Sequence, residues 1–389
     1  MMSIQKAMLD LVPEFTAIRQ HLHQYPELSH KEFQTSEFIA SCLNSWGIEV
    51  HTDIAGTGVV GVLKNGEGTK SIALRADMDA LAISEKNIFS HCSKNAGVMH
   101  ACGHDGHMAM LLMAARYLAQ TRQFSGTVYF VFQPSEEQDG GASEMVQAGL
   151  FEKFPSDMIL GCHNWPELPV GTVGVADKAI MASCNAFEIE VTGRGSHGAM
   201  PNLSVDPIFV AIQIANALQG IITRMKKPQD AAVLSICQVK GGQSYNVIPD
   251  SAYMGGTVRT FDEGVTDLIE SQMKSIASQV AMAFGAQAKV TFDRQVSPVI
   301  NTPDCAQLVK SAAIETLGVK ALVEQEPVMP SEDFGEYLKK VPGAFFFVGC
   351  GADATPGLHN PQFDFNDEAL PIGASVFVQV VENYLREKI

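Results

Sequence analysis

Four short apolar runs punctuate the first half of the chain: 57–63 (TGVVGVL), 71–75 (SIALR), 126–132 (GTVYFVF) and 157–162 (DMILGC). Each has the length of a buried strand and is too short for a helix. Between them lie stretches with helical character at 106–120 and 142–150, and a helical pattern over 31–46 that stops at Gly47. Strands that alternate with helices fold as an α/β layer with a mainly parallel sheet. From about residue 184 the rhythm changes. CNAFEIEVTG alternates like a strand, DPIFVAIQIANALQGIITRM reads as a helix, and AAVLSICQVKG and SAYMGGTVRTF follow as strands. A helix over 265–284 and a strand at AKVTFDRQV complete the set. Strand–helix–strand–strand–helix–strand is the split βαβ order of a ferredoxin-like α+β module. After about 297 the α/β pattern returns, with GAFFFVGCG as a strand and a closing helix to the C-terminus. The expected fold is a discontinuous α/β/α domain, residues 1–181 and 297–389, carrying an inserted α+β module at 182–296.

A chain of 389 residues is too long for one ordinary core, which agrees with that division. Acidic residues outnumber basic ones by 43 to 27, a formal charge of −16, so a polyanion is repelled and no nucleic acid partner is expected. The N-terminus MMSIQKAMLDLVPEF has no basic flank followed by an apolar run, so it does not read as a secretory signal. No uninterrupted apolar stretch is read as approaching the roughly 20 residues that span a bilayer. A cytoplasmic location without membrane attachment is expected, and the eight scattered cysteines are read as reduced thiols.

The chemically dense segment is MHACGHDGHMAM, residues 99–110, with His100, Cys102, His104, Asp105 and His107 inside nine positions. Cys102 and His104 stand two apart, so an extended or looped backbone can point both to one side. Gly103 and Gly106 favour a loop there. Thiolate and imidazole suit zinc and similar ions. Histidines that merely hydrogen-bond are the plainer reading. A cysteine nucleophile is disfavoured, because its base is normally brought from elsewhere in the fold. Four further segments add donors: RADMDAL with Asp77 and Asp79, FQPSEEQDGGA with Glu136 and Glu137, GCHNWPE with His163, and GLHNPQFDFND with His359. The first three follow strands, where sites in open α/β sheets tend to sit. Taken singly, each has an ordinary explanation as a cap, a solvated carboxylate or a structural imidazole.

In order along the chain, HQYPELSHKEFQTSEFI, RADMDAL, MHACGHDGHMAMLL, QPSEE, GCHNWP, GRGSHGAMP, NVIPD and GTVRTFD resemble the motif series of the M20 metallopeptidases. The resemblance runs from about residue 14 to the C-terminus. It points to the amidohydrolase branch with hippurate hydrolases, N-acyl-amino-acid deacylases and plant auxin-conjugate hydrolases. It implies a catalytic α/β domain with an inserted lid that dimerises, giving a homodimer or a tetramer. It also implies two divalent ions per subunit, zinc or manganese first and cobalt or nickel as alternatives, held by Cys102, His104, Glu137, His163 and His359. Glu136 is the implied general base. Asp79 fits the catalytic aspartate of the wider family, and Asp77 stands where other branches carry a metal-binding histidine. His197 is expected to reach the partner subunit's site and donate to the developing oxyanion, a contact worth about 3 kcal/mol. Asn246 and Arg259 resemble lid residues that hold substrate, and an arginine can pair bidentately with a carboxylate.

The implied chemistry is hydrolysis of the amide of N-acyl amino acids. Two neighbouring divalent ions can share a water, lower its pKa and polarise a carbonyl, while a glutamate takes the water's proton and returns it to the amine. A dipeptidase or carboxypeptidase with the same site is one alternative. A catalytically silent binding protein on this scaffold is another, and the intact glutamate pair and ligand set weigh against it.

Overall fold

The computed structural model describes residues 4–138, 140–351 and 356–386, and the chain divides into two compact units. The first comprises Met1–Ile180, Ile300–Glu326 and Asp333–Ile389; the second comprises Met181–Val299 together with Pro327–Glu332.

The first unit is built on an eight-stranded sheet. From edge to edge its strands are Glu49–Ile54, Gly58–Asn65, Gly126–Gln133, Ser71–Asp77, Ile159–Pro169, Gly343–Gly351, Val173–Val175 and Leu322–Glu324. The sheet is mixed. Its middle, Gly126–Gln133, Ser71–Asp77, Ile159–Pro169 and Gly343–Gly351, is parallel, whereas the Glu49–Ile54, Gly58–Asn65 and Val173–Val175 strands each form antiparallel pairs. The short connection between Glu49–Ile54 and Gly58–Asn65 explains the edge, since two residues or so can join antiparallel neighbours but never parallel ones. The central strands are apolar on both faces, and Gly343–Gly351 is buried throughout, as parallel strands covered by helices on either side must be. Helices Ile4–Gln24, His104–Thr121, Pro303–Leu317 and Leu370–Tyr384 contribute Phe15, Leu111, Val309 and Phe377 to one core with Phe130 and Phe346 of the sheet.

Two helix boundaries differ from the sequence pattern. The N-terminal helix Ile4–Gln24, which contains Pro13 and buries Met8, Phe15 and Leu22, is not among the helices read from the sequence. The His104–Thr121 helix starts two residues before its expected onset, with Gly106 inside its first turn. Gly106 is there because a Cβ would meet the Phe365 ring at 2.2 Å. Gly103, just ahead of the helix, has φ +92°, and a Cβ there would meet Asn164 Oδ1 at 2.2 Å. Two glycines that read as loop signals are close-approach positions that let a helix begin inside the site.

The second unit has a four-stranded antiparallel sheet in the order Ala232–Gly241, Ser251–Thr260, Cys184–Thr192, Gln287–Val296, with helices Pro207–Gly220 and Glu263–Ala283. Its own core joins Phe187, Ile189, Met254 and Val258 of the sheet to Val210, Ile214, Ile269 and Met273 of the helices. Asp206 caps the first helix by accepting from the amides of Ile208 and Phe209, with Pro207 at the first helical position. Pro207–Met225 is a single helical run long and apolar enough, by length and composition, to cross a membrane. The run is read as one helix from the sequence, and Gln213, Asn216, Gln219 and Arg224 interrupt its apolar character. In the structure it lies on the sheet, with Val210, Ala211, Ile214, Leu218 and Ile221 buried.

Candidate metal centre

The carboxyl ends of three adjacent parallel strands of the first unit deliver most of the donors. Ser71–Asp77 leads to Asp77 and Asp79, Gly126–Gln133 leads to Glu136 and Glu137, and Ile159–Pro169 carries His163. The segment before the His104–Thr121 helix brings Cys102, and His104 is the helix's first residue. His359 arrives from the far end of the chain, its backbone amide donating to the Ala101 carbonyl at 2.8 Å. Two sets of donor atoms converge: Cys102 with His104 and His163, and Cys102 with Glu137 and His359, in each case within 4.8 Å of one another. His104, Glu136 and Glu137 form a further such set. All five ligands named from the sequence, with Glu136, are therefore gathered in one place, and Cys102 belongs to both main groups.

The support around these atoms separates the two aspartates. Asp79 is a fastening point. Its Oδ1 accepts from the Glu136 amide at 3.1 Å, and its Oδ2 accepts from the Glu137 amide at 3.0 Å and from the Ser29 hydroxyl at 2.7 Å. It stands 3.3 Å from His104 Nδ1. One carboxylate thus orients both glutamates and a histidine. Ser135, directly ahead of the glutamates, has φ 54°, a left-handed backbone that a non-glycine residue adopts at a cost. Its amide donates to Glu32 Oε1 at 2.9 Å. Asp77 is turned to the other side: Oδ1 pairs with His107 Nδ1 at 2.7 Å, Oδ2 accepts from Arg75 Nη1 at 2.9 Å, and Oδ2 stands 3.6 Å from His104 Nε2.

Charge in this pocket is out of balance without a cation. Burial favours a neutral His104 ring, yet Asp77, Asp79 and Glu137 outweigh it and push its pKa up to about 10. Burial, followed by Glu137, Glu136 and Asp77, holds the Cys102 thiol well above its ordinary range. Asp79 is nevertheless kept below the usual carboxylate range: burial opposes this, but His104, the Glu137 amide and Ser29 prevail. His163 is a neutral ring, driven down by burial and by His107. Its Nδ1 donates to the Asn164 carbonyl at 2.7 Å, which leaves the Nε2 lone pair facing Cys102 Sγ at 3.3 Å. Nε2 of His104 and Oε1 of Glu137 are buried without a hydrogen-bond partner among the described residues. Unpaired buried groups cost about 1–3 kcal/mol each. A thiol, three imidazoles and a carboxylate with orphaned lone pairs, ringed by further carboxylates, fit a divalent cation, which would deprotonate the thiol and satisfy those lone pairs.

Sequence reasoning left out several residues of this arrangement. His107 and Arg75 lay inside quoted motifs but carried no assigned role; they hold Asp77. Asn164 meets His107 through its amide oxygen at 2.6 Å, and Ser29 reaches Asp79 from 50 positions away. Spacing offers no signal for a contact of that range. His100, singled out in the same segment, is buried with both ring nitrogens unpartnered among the described residues and its pKa driven down to about 4 by burial.

Behind the centre runs a buried ionic chain. Asp105 Oδ2 accepts from His23 Nδ1 at 2.9 Å and lies 3.5 Å from Arg19 Nη1, while Arg19 also binds Asp364 and Asp367 at 2.8 Å. Burial opposes charge on His23, but Asp105 and Glu85 raise its pKa to about 9 from an ordinary 6.5, against a smaller opposing push from Arg19. A folded-state pKa above the unfolded one stabilises the fold fully below pH 6.5, and the contribution disappears as the pH climbs through 9. Calorimetric melting should therefore fall between pH 7 and 9.5, and His23→Gln should flatten that fall; an unchanged slope in the variant contradicts the assignment.

The remaining predicted residues belong to the second unit. His197 lies in a two-residue strand paired with Val247–Ile248, and it is exposed. Asn246 sits on the adjoining loop, its carbonyl accepting from the Gly198 amide at 2.8 Å. Arg259, on Ser251–Thr260, donates through Nη1 to Ser331 Oγ at 2.9 Å.

Comparison with known proteins agrees over nearly the whole length. Residues 73–383 match the model of peptidase family M20/M25/M40. The chain is 39% identical over 386 residues to the hippurate hydrolase of Campylobacter jejuni, covering 99% of this chain and 100% of that protein. It is 38% identical over 369 residues to the N-acetyl-L-cysteine deacetylase of Bacillus subtilis, covering 95% and 87% respectively. Among solved structures, a dinuclear metal-binding peptidase of the M20 family from Bacillus subtilis superposes with TM-score 0.86 at 36% identity, covering 97% of this chain and 99% of that one. With the α/β fold, the clustered donors and these matches in agreement, the chain belongs to peptidase family M20/M25/M40.

Proposed function

We propose that this protein is a metal-dependent amidohydrolase that cleaves the amide of N-acyl amino acids. The observation that carries the reading is the convergence of Cys102, His104, Glu137, His163 and His359 beside Glu136. The relatives support it, since one is named for hippurate and another for N-acetyl-L-cysteine. Those five residues would hold two divalent ions, zinc or manganese before cobalt or nickel, with Cys102 common to both donor groups. The number of ions is supported by the solved neighbour, described as dinuclear. When bound, such ions act as Lewis acids toward a carbonyl and acidify water. The protein's own part begins with Glu136. Fastened through its amide to Asp79, its carboxylate accepts a proton from the attacking water and later delivers it to the departing nitrogen. Asp79 keeps the pair of glutamates and His104 in register, and Asp77 does the same for the ring of His107.

The second unit is proposed as the lid that holds substrate through His197, Asn246 and Arg259 and forms a homodimer. Phe209 and Ile212, exposed on the apolar Pro207–Gly220 helix, support a contact there. A peptidase reading keeps the same site and is favoured by the description of the solved neighbour. A panel of N-benzoyl and N-acetyl amino acids beside dipeptides, each with and without chelator, tests the choice. Turnover of the acyl amino acids at least about tenfold above dipeptides in kcat/KM, a difference of about 1.4 kcal/mol, is the expected outcome; a preference for dipeptides contradicts it.

A further inference from the structure

We propose that Asp333 is a positioning residue: its carboxylate ties together the two ends of the turn that carries Glu136 and Glu137. The inference deepens the amidohydrolase reading and rests on it for what those glutamates do. Strand Gly126–Gln133 leads into the turn, and helix Gly141–Gln147 leads out of it. At the near end Gln133 Nε2 donates to Asp333 Oδ1 at 2.9 Å and to Oδ2 at 2.8 Å. At the far end the Ala142 amide donates to Asp333 Oδ2 at 2.9 Å. The two ends approach closely, for the Gly141 amide donates to the Ser135 carbonyl at 2.9 Å and a Cβ on Gly141 would collide with the Pro134 carbonyl oxygen. Arg75 joins the same network. Its Nη2 donates to Asp333 Oδ1 at 3.1 Å, its Nε to Gln133 Oε1 at 2.8 Å and its Nη1 to Asp77 Oδ2 at 2.9 Å. Asp333 is itself held, because Phe334 beside it is buried with its ring 4.9 Å from that of Phe345.

Arg75, Gln133 and Asp333 are all buried, and a buried network with its partners in place keeps one geometry. Asp79 fixes the amides of the two glutamates, while Asp333 fixes the span on which they sit. The part played by Asp333 therefore runs through the glutamates. Asparagine in its place has nearly the same volume but offers one acceptor oxygen where the carboxylate offers two. The buried Arg75 cation keeps that oxygen, since charge-assisted bonds are the stronger ones. The NH2 group then meets the Ala142 amide, donor against donor, and the far end of the turn is released.

A double-mutant cycle in zinc affinity tests this. Metal-free wild type, Asp333→Asn, Glu137→Ala and the double variant are each titrated with zinc against a chromophoric chelator. Asp333→Asn should weaken zinc binding by about 10-fold, the lower end of what residues supporting metal ligands cost. In the Glu137→Ala background the same substitution should cost less than about twofold, because the ligand it positions is gone. An equal loss in both backgrounds is a general effect on the fold and overturns the proposal. Undiminished affinity in Asp333→Asn overturns it too. Should Asp333→Asn not fold, Gln133→Met keeps the Arg75–Asp333 pair, frees the strand end and is judged by the same cycle. No turnover enters the titration, so failure of the amidohydrolase reading would show in the substrate panel and leave this measurement standing.

Discussion

Glu136→Ala should reduce kcat by at least about 100-fold, the lower bound for a positioned proton-transfer group, while the metal content of the purified protein stays near that of the wild type. The two halves of the expectation come from neighbouring residues with different surroundings. Glu137 Oε1 is buried without a hydrogen-bond partner among the described residues, 3.8 Å from His104 Nε2 and 3.4 Å from His359 Nε2. Glu136 is tied at its amide to Asp79, with its carboxylate 3.9 Å from His104 Nε2. Removing Glu137 should cost metal; removing Glu136 should cost turnover alone. Steady-state kinetics beside elemental analysis of both variants checks this. Metal lost from Glu136→Ala, or activity kept, reverses the assignment.

Removing the ions should have the second large effect. Dialysis against a strong chelator should abolish turnover and lower the melting temperature, and restoring a divalent ion should recover both. Binding to the folded state alone stabilises it by about 4 kcal/mol when the free ion stands a thousandfold above its dissociation constant. The apoprotein has a second handicap. The buried Cys102 thiol is held well above its ordinary pKa by burial and then by the charges of Glu137, Glu136 and Asp77. Cys102→Ser should behave like chelation even in excess metal, because Cys102 belongs to both donor groups. Loss of an outer-sphere partner already costs about 10- to 100-fold in affinity or activity, and loss of a shared ligand should exceed that. Full activity of Cys102→Ser at ordinary metal concentrations would remove the thiol from the site.

Part of this centre is legible in the sequence because several of its residues follow strands that the apolar pattern marks. RADMDAL, QPSEE and GCHNWP end neighbouring strands, so the sheet itself delivers Asp77, Asp79, Glu136, Glu137 and His163 to one edge. His359 is different. Nothing in its spacing ties it to Cys102, and the tie in the structure is a backbone bond to Ala101 across more than 250 positions. Only the family resemblance placed it. The supporting contacts are less readable still. Ser29 to Asp79, Glu32 to Ser135 and Arg19 to Asp367 join segments whose separation the chain pattern does not encode. Glycine misled in one place. Gly106 reads as a loop former, whereas it lies in the first helical turn and packing against Phe365 is what requires it. Apolar periodicity marks a strand but is silent on its direction, which at the Glu49–Ile54 edge the short turn after Ile54 decides.

The most direct test of the account is anomalous X-ray scattering from crystals of the zinc- or manganese-loaded protein. Two peaks per chain should appear among Cys102, His104, Glu137, His163 and His359, with Cys102 Sγ within bonding distance of at least one. No peak among these five residues, in crystals of protein that still hydrolyses its substrate, would contradict it.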